Sequence, residues 1–143
     1  MQIKRTVRSS PDADGLVKEV AADLTVEHMN IRGGMLRSKL VGDAFAAPRE
    51  DAIDQTIAVI TYPKLMACLS AGTITRKVFK GDELVEGTVQ DARTLTLDEF
   101  IALPDEIGVL WSAAVIQENP TLDSVAFDAN QQPIVTEDAA KKS

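Results

Sequence analysis

Four carboxylates, Asp98, Glu99, Asp105 and Glu106, crowd into the stretch LTLDEFIALPDEIGVLWSAAVIQENP, residues 95–120. Side chains of this type, so close together, could act as a general acid and base. Their positions have a simpler account. Thr96 followed three residues later by Glu99 is a capping-box signature, and Asp105 and Glu106 follow Pro104 at a second helix start. The remaining reactive groups are sparse. His28 adjoins Glu27, which cannot share its helix face, so no local His–acid dyad is encoded. Cys68 lies among Leu65, Met66 and Leu69 and reads as a small buried apolar residue. Metal sites need converging His, Cys or carboxylates, and the one His and one Cys lie far apart in sequence. AGTITRK lacks the second glycine and the spacing of a phosphate-cradling loop, and no GxGxxG or GxSxG occurs. The expectation is therefore a non-enzymatic protein with no catalytic residue, cofactor or metal.

The elements that would position these groups belong to a chain of 143 residues, enough for one core but not two. Hydrophobic residues make up 45%, which argues against wholesale disorder. The basic start, MQIKRTVRSS, is not followed by an apolar run, and the best apolar run, VLWSAAVI, is too short to span a membrane. A lone cysteine cannot form an internal disulfide, which suits a reducing cytoplasm. The net charge of −7 is unevenly placed: residues 95–143 carry two Lys/Arg against nine Asp/Glu, and the rest is nearly balanced. Such a segment is a poor partner for phosphate backbones and suits a basic protein partner or a solvated face. No nucleic acid and no membrane are expected as partners.

Along the chain, QIKRTVR alternates like a half-buried strand, SSPDADG has turn chemistry, and LVKEVAADL fits either a helical stripe or a second strand. A hairpin is the preferred reading. From Thr25, a candidate N-cap, Val26, Met29, Leu36 and Leu40 fall near helical spacing, interrupted by Gly33–Gly34. Residues 49–71 read as a helix opened by Glu50, Asp51 and Asp54, kinked near Pro63 and stopped by Gly72. TITRKVFKGDELVEGTV reads as a second hairpin or a mobile excursion. Ile107, Leu110, Trp111, Ala114 and Val115 make one buried face of a helix ending at Asn119–Pro120. The spacing predicts a mainly α domain over 1–120 with a short N-terminal β-hairpin. Helices 49–71 and 104–118 would pack through Ile53, Ile57, Ile60, Ile107, Leu110 and Trp111. Residues 121–143 would form a loosely attached acidic and polar tail.

The order of these segments resembles a known family. A helix reaching TYPKLMACL, then an excursion, then the 95–120 segment, is similar to the tail assembly chaperones of long-tailed bacteriophages. Positions that match are Leu95, Thr96, Glu99, Phe100, Leu103, Pro104, Asn119 and Pro120, and the likeness covers 57–69 and 95–120. The resemblance implies a small, mostly helical protein of the host bacterial cytoplasm. It would keep a tape-measure protein soluble, yield to tail-tube protein, and be absent from the mature virion. A homo-oligomer is compatible with this. The alternatives are a minor structural tail or virion protein, or an unrelated helical adaptor. The expected contact surface is an apolar groove drawn from LMACL and MLRSKL, with an acidic rim of Asp98, Glu99, Asp105, Glu106 and Glu118.

Overall fold

The two hairpins are present, but they are not appendages to a helical core. They join into one antiparallel sheet of order β1-β2-β3-β4. The computed structural model describes residues 1–122 and the strand segments 125–127 and 133–135. Strand β1 (Gln2–Arg8) pairs with β2 (Leu16–Val26), Ile3 lying opposite Leu24 and Val7 opposite Val20. The turn between them is fixed by the Asp12 carboxylate, which accepts from the amides of Asp14 and Leu16 at 2.8 and 3.0 Å. Strand β3 (Leu69–Lys80) turns at Gly81 into β4 (Glu83–Asp91). Pairing of β2 with β3 unites the two hairpins across more than forty intervening residues. A four-stranded antiparallel sheet beside the helices makes the fold α+β and not mainly α.

The excursion between β2 and β3 is helical and shares one core with the buried face of the sheet. Helix α1 (Ile31–Ala46) is capped by Asn30, whose side chain accepts from the Gly33 amide. Thr25 is therefore not the cap. It lies in β2, because Ala22, Leu24 and Val26 alternate onto the buried face of that strand. Gly33 and Gly34 do not interrupt the helix either; both lie within α1. Asp51 caps α2 (Ala52–Thr56), accepting from the amides of Ile53 and Asp54. A π-helical turn (Ile57–Thr61) and helix α3 (Tyr62–Ala67) continue it. The kink expected at Pro63 takes this form. Proline has no N–H and crowds the preceding turn, and widening that turn, with the Tyr62 amide reaching Ile57 O, accommodates the ring. The helix ends at Ala67. Gly72, read from sequence as its stop, instead lies within β3 opposite Leu24.

After β4, a 3-10 turn leads to α4 (Leu97–Ile101) and α5 (Asp105–Glu118). Leu24, Val26 and Ile74 of the sheet, Leu65 and Met66 of α3, and Ile107, Trp111 and Val115 of α5 form the core. Phe100 sits edge-on to Trp111 with ring centroids 5.6 Å apart and against Tyr62 at 5.2 Å. The buried Tyr62 hydroxyl donates to Leu95 O at 2.6 Å. Ile53 and Ile60, assigned from sequence to the interface with α5, are exposed. The sheet, not the 49–71 helix, supplies most of the surface against which α5 packs, so a 3.6-residue stripe there was not a core stripe. Among the described residues, strands β5 (Val125–Phe127) and β6 (Pro133–Val135) pair with each other in a separate two-stranded sheet. Leu122, the second residue of the expected loose tail, packs against the core; apart from these segments, the expected attachment of 121–143 lies outside the described residues.

Candidate partner-binding surface

Helix α1 buries one side and leaves an apolar stripe on the other. Its inward side carries the buried Gly33 and Ala44, with Leu40 packed against the core. At 100° per residue, Ile31, Met35, Ser38, Gly42 and Phe45 fall together on the opposite side. Ile31 is 85% exposed, Met35 70% and Phe45 51%. Large side chains thus flank a small-residue centre over about four turns. Lys39 and Asp43, 3.1 Å apart, edge this stripe.

A concavity lies at each end of α1. One, of about 380 Å³, is lined by His28, Leu36, Met66, Cys68, Ser70 and Arg93, among others. The other, of about 290 Å³, is walled by Leu40, Ala44, Ala58, Tyr62 and Leu97, with Arg49 at its side. His28 and Cys68, far apart in sequence, both line the first concavity. Burial pushes the Cys68 thiol above its ordinary range, against the weaker opposing pull of Arg37, Lys64 and Asn119. A thiol held protonated is a poor nucleophile.

Asn119, matched above only as a helix terminus, proves to be a buried polar clamp. Its side-chain oxygen Oδ1 accepts from the Met29 amide at 2.8 Å. Its amide nitrogen donates to Val115 O at 3.0 Å, Glu27 O at 3.3 Å and Cys68 Sγ at 3.5 Å. The end of α5 thereby fixes the loop that launches α1, and with it the direction of the exposed stripe. The signal in sequence was a single Asn before Pro, which is also ordinary helix-ending chemistry.

The five acidic residues expected at a groove rim are dispersed over two helices. Asp98 pairs with Arg49 at 2.7 Å. Glu99 accepts from the Thr96 amide at 2.9 Å and from Gln90 at 3.2 Å, closing the capping box foreseen from sequence. Asp105 and Glu106 occupy the first turn of α5, where Glu106 pairs with Arg5 of β1. Glu118, at the other end of α5, stands 3.8 Å from the terminal amine of Met1. None of the five lines either concavity. Leu65, Met66, Ala67 and Cys68 of LMACL are buried, but Met66 and Cys68 line the first concavity together with Leu36 of MLRSKL, while Met35 faces solvent.

Glu99 gives a pH prediction. The Thr96 amide, then Gln90, then the Thr96 hydroxyl hold its carboxyl below the usual carboxylate range. A carboxylate depressed in the folded state stabilises above its unfolded pKa, about 4.3, and loses that contribution as pH falls through the folded value. Glu99→Gln keeps a capping-box side chain but cannot titrate. Its thermal midpoint should therefore fall less steeply than wild type on acidification below that range; parallel curves would refute the assignment.

Among the described residues there is no cluster of three or more His, Cys, Asp or Glu able to hold a metal, and no helix is long and apolar enough to cross a membrane. No family model, curated protein or solved structure matches the chain.

Proposed function

We propose that this protein is a non-enzymatic tail assembly chaperone of long-tailed bacteriophages, which binds the tape-measure protein and keeps it soluble until tail-tube protein displaces it. The observation that carries the reading is the outward stripe of α1, with Ile31, Met35 and Phe45 exposed on one helical face. A long helical partner carries apolar stripes that aggregate unless covered, and an exposed helix face of matching length can cover one. Methionine at the middle of such a face adapts to varied partners. The residues behind the family resemblance have a packing role here: Leu95, Phe100 and Asn119 are buried. They would preserve the scaffold, while α1 makes the contact. Apolar contact along α1 would supply most of the affinity. The work would take place in the host cytoplasm, and the protein would leave before the virion is complete.

Co-expression with a phage tape-measure protein is the test. The partner should be soluble with this chain and should co-elute with it in size exclusion, with binding only partly weakened at high salt. Met35→Asp and Phe45→Asp, both at exposed positions, should abolish the complex and leave the thermal transition near wild type. A partner equally insoluble with and without this chain would sink the chaperone reading. Undiminished binding by both variants would move the contact away from α1.

A further inference from the structure

We propose that the chain self-associates head to tail through its two sheet edges, β1 of one copy adding as an antiparallel strand to β4 of the next. Both edges are open among the described residues: β1 and β4 each pair with a single neighbour, and β5 and β6 form a separate sheet. Unpaired edge N–H and C=O groups are a template for a further strand, and proteins usually discourage this with charge on the edge. Here the charges have opposite sign on the two edges. QIKRTVR carries Lys4, Arg5 and Arg8 and no acid; ELVEGTVQD carries Glu83, Glu86 and Asp91 and no base.

Two like edges therefore repel, since like charges facing one another across strands are destabilising, and only the unlike junction is attractive. Each edge carries its own sign of charge on both faces of the sheet, and an antiparallel register can set Arg5 against Glu86, with Asp91 then lying beyond the first residue of β1. Arg5 pairs with Ala22, which is buried beneath the helices, so its side chain belongs to the helix side. By the same register, through Val78 and Lys18, Glu86 falls on that side too. Lys4 and Arg8 alternate to the open side, as does Asp91 through its pairing with Thr73 and thence Asp23. Strand direction agrees as well. Every neighbouring pair is antiparallel, so β1 and β4 run in opposite senses, and a second copy in the same orientation continues the ladder unbroken. Exposed Val85 and Val89 add apolar contact along β4.

Within the chain, Lys4, Arg5, Arg8 and Asp91 already have partners in Asp23, Glu106, Glu19 and Arg93. These are mostly exposed pairs of small individual worth, and they leave the sign of each edge unchanged. A junction of two different edges does not close by itself on a two-fold axis. Sheet twist of about 20–25° per strand turns each four-stranded copy by roughly 80–100°, so growth leads to a ring or a helical run, not a flat ribbon.

This inference is independent of the chaperone reading, because its test measures mass and needs no partner. In sedimentation of the full chain at low salt, the average mass should rise with concentration above the single-chain 15.4 kDa and fall back toward it at high salt. Lys4→Glu with Arg8→Glu makes both edges acidic; Glu83→Lys with Glu86→Lys makes both basic. Each double variant alone should associate at least about ten-fold more weakly than wild type, and an equimolar mixture should regain association. The single variants Lys4→Glu and Glu83→Lys serve the same mixing test if a double variant loses its thermal transition. A wild-type chain that remains at single-chain mass under all these conditions overturns the proposal. So does association that the substitutions leave unchanged, or a mixture of folded variants that stays monomeric.

Discussion

Trp111→Ala is expected to cost about 3–5 kcal/mol and to bring the protein close to unfolding at ambient temperature. The indole is fully buried, packed edge-on against Phe100 and surrounded by the apolar side chains of α3, α5 and the sheet. Three layers meet at this ring, so truncation leaves a cavity that no single element can collapse to fill. Urea denaturation would show a large fall in midpoint with little change in slope. Trp111→Phe makes a sharper companion test. The indole Nε1 is buried without an acceptor among the described residues, and phenylalanine removes that donor along with some volume. The lost volume costs stability, whereas removal of an unsatisfied polar group recovers some. Phenylalanine should therefore retain most of the stability that alanine loses. An unchanged midpoint for the alanine variant would be incompatible with the packing described here.

Local chemistry was legible in the sequence, and long-range pairing was not. The capping box of Thr96 and Glu99 and the turn at Asp12–Gly15 are short-range features whose residue types leave few alternatives. What turned a helical expectation into an α+β fold is the pairing of β2 with β3, and no local periodicity encodes it. Leu69–Lys80 begins with LSAGT, in which glycine after an apolar run has the look of a helix stop. Its meaning depends on Leu24 across the strand pair, invisible until both hairpins are in place. The same dependence explains the isoleucines. Ile53, Ile57 and Ile60 share helical spacing, yet Ile57 packs on the core while Ile53 and Ile60 face solvent. Spacing identifies a face; it does not say what covers it. In the candidate site, acidic character was readable, but the partners Arg49, Gln90 and Arg5 come from distant elements and turn an imagined rim into separate local pairings.

The adjacent glycines of α1 should respond in opposite directions to the same substitution. Alanine in a helix interior is favoured over glycine by up to about 1 kcal/mol, because glycine loses more backbone entropy on folding. At Gly34 that gain should appear, since a Cβ there meets nothing within 4 Å. At Gly33 a Cβ would lie 2.2 Å from the carbonyl oxygen of Ala67 and 3.2 Å from Met29 Cγ. The first obstacle is backbone at the end of α3, so it cannot swing aside as a side chain would. Helix α1 would have to move off α3, at a cost of about 1–3 kcal/mol, which exceeds the propensity gain. Such a move also disturbs the Asn30 cap on the Gly33 amide and the neighbouring Asn119–Met29 bond that direct α1 outward. Gly33→Ala is thus expected to lower the thermal midpoint and to impair partner binding, while Gly34→Ala raises the midpoint and leaves binding intact. Equal stabilisation by both would mean that α1 does not approach α3 this closely. In that event the exposed face carrying Met35 and Phe45 would lack the rigid mounting that a defined contact surface needs.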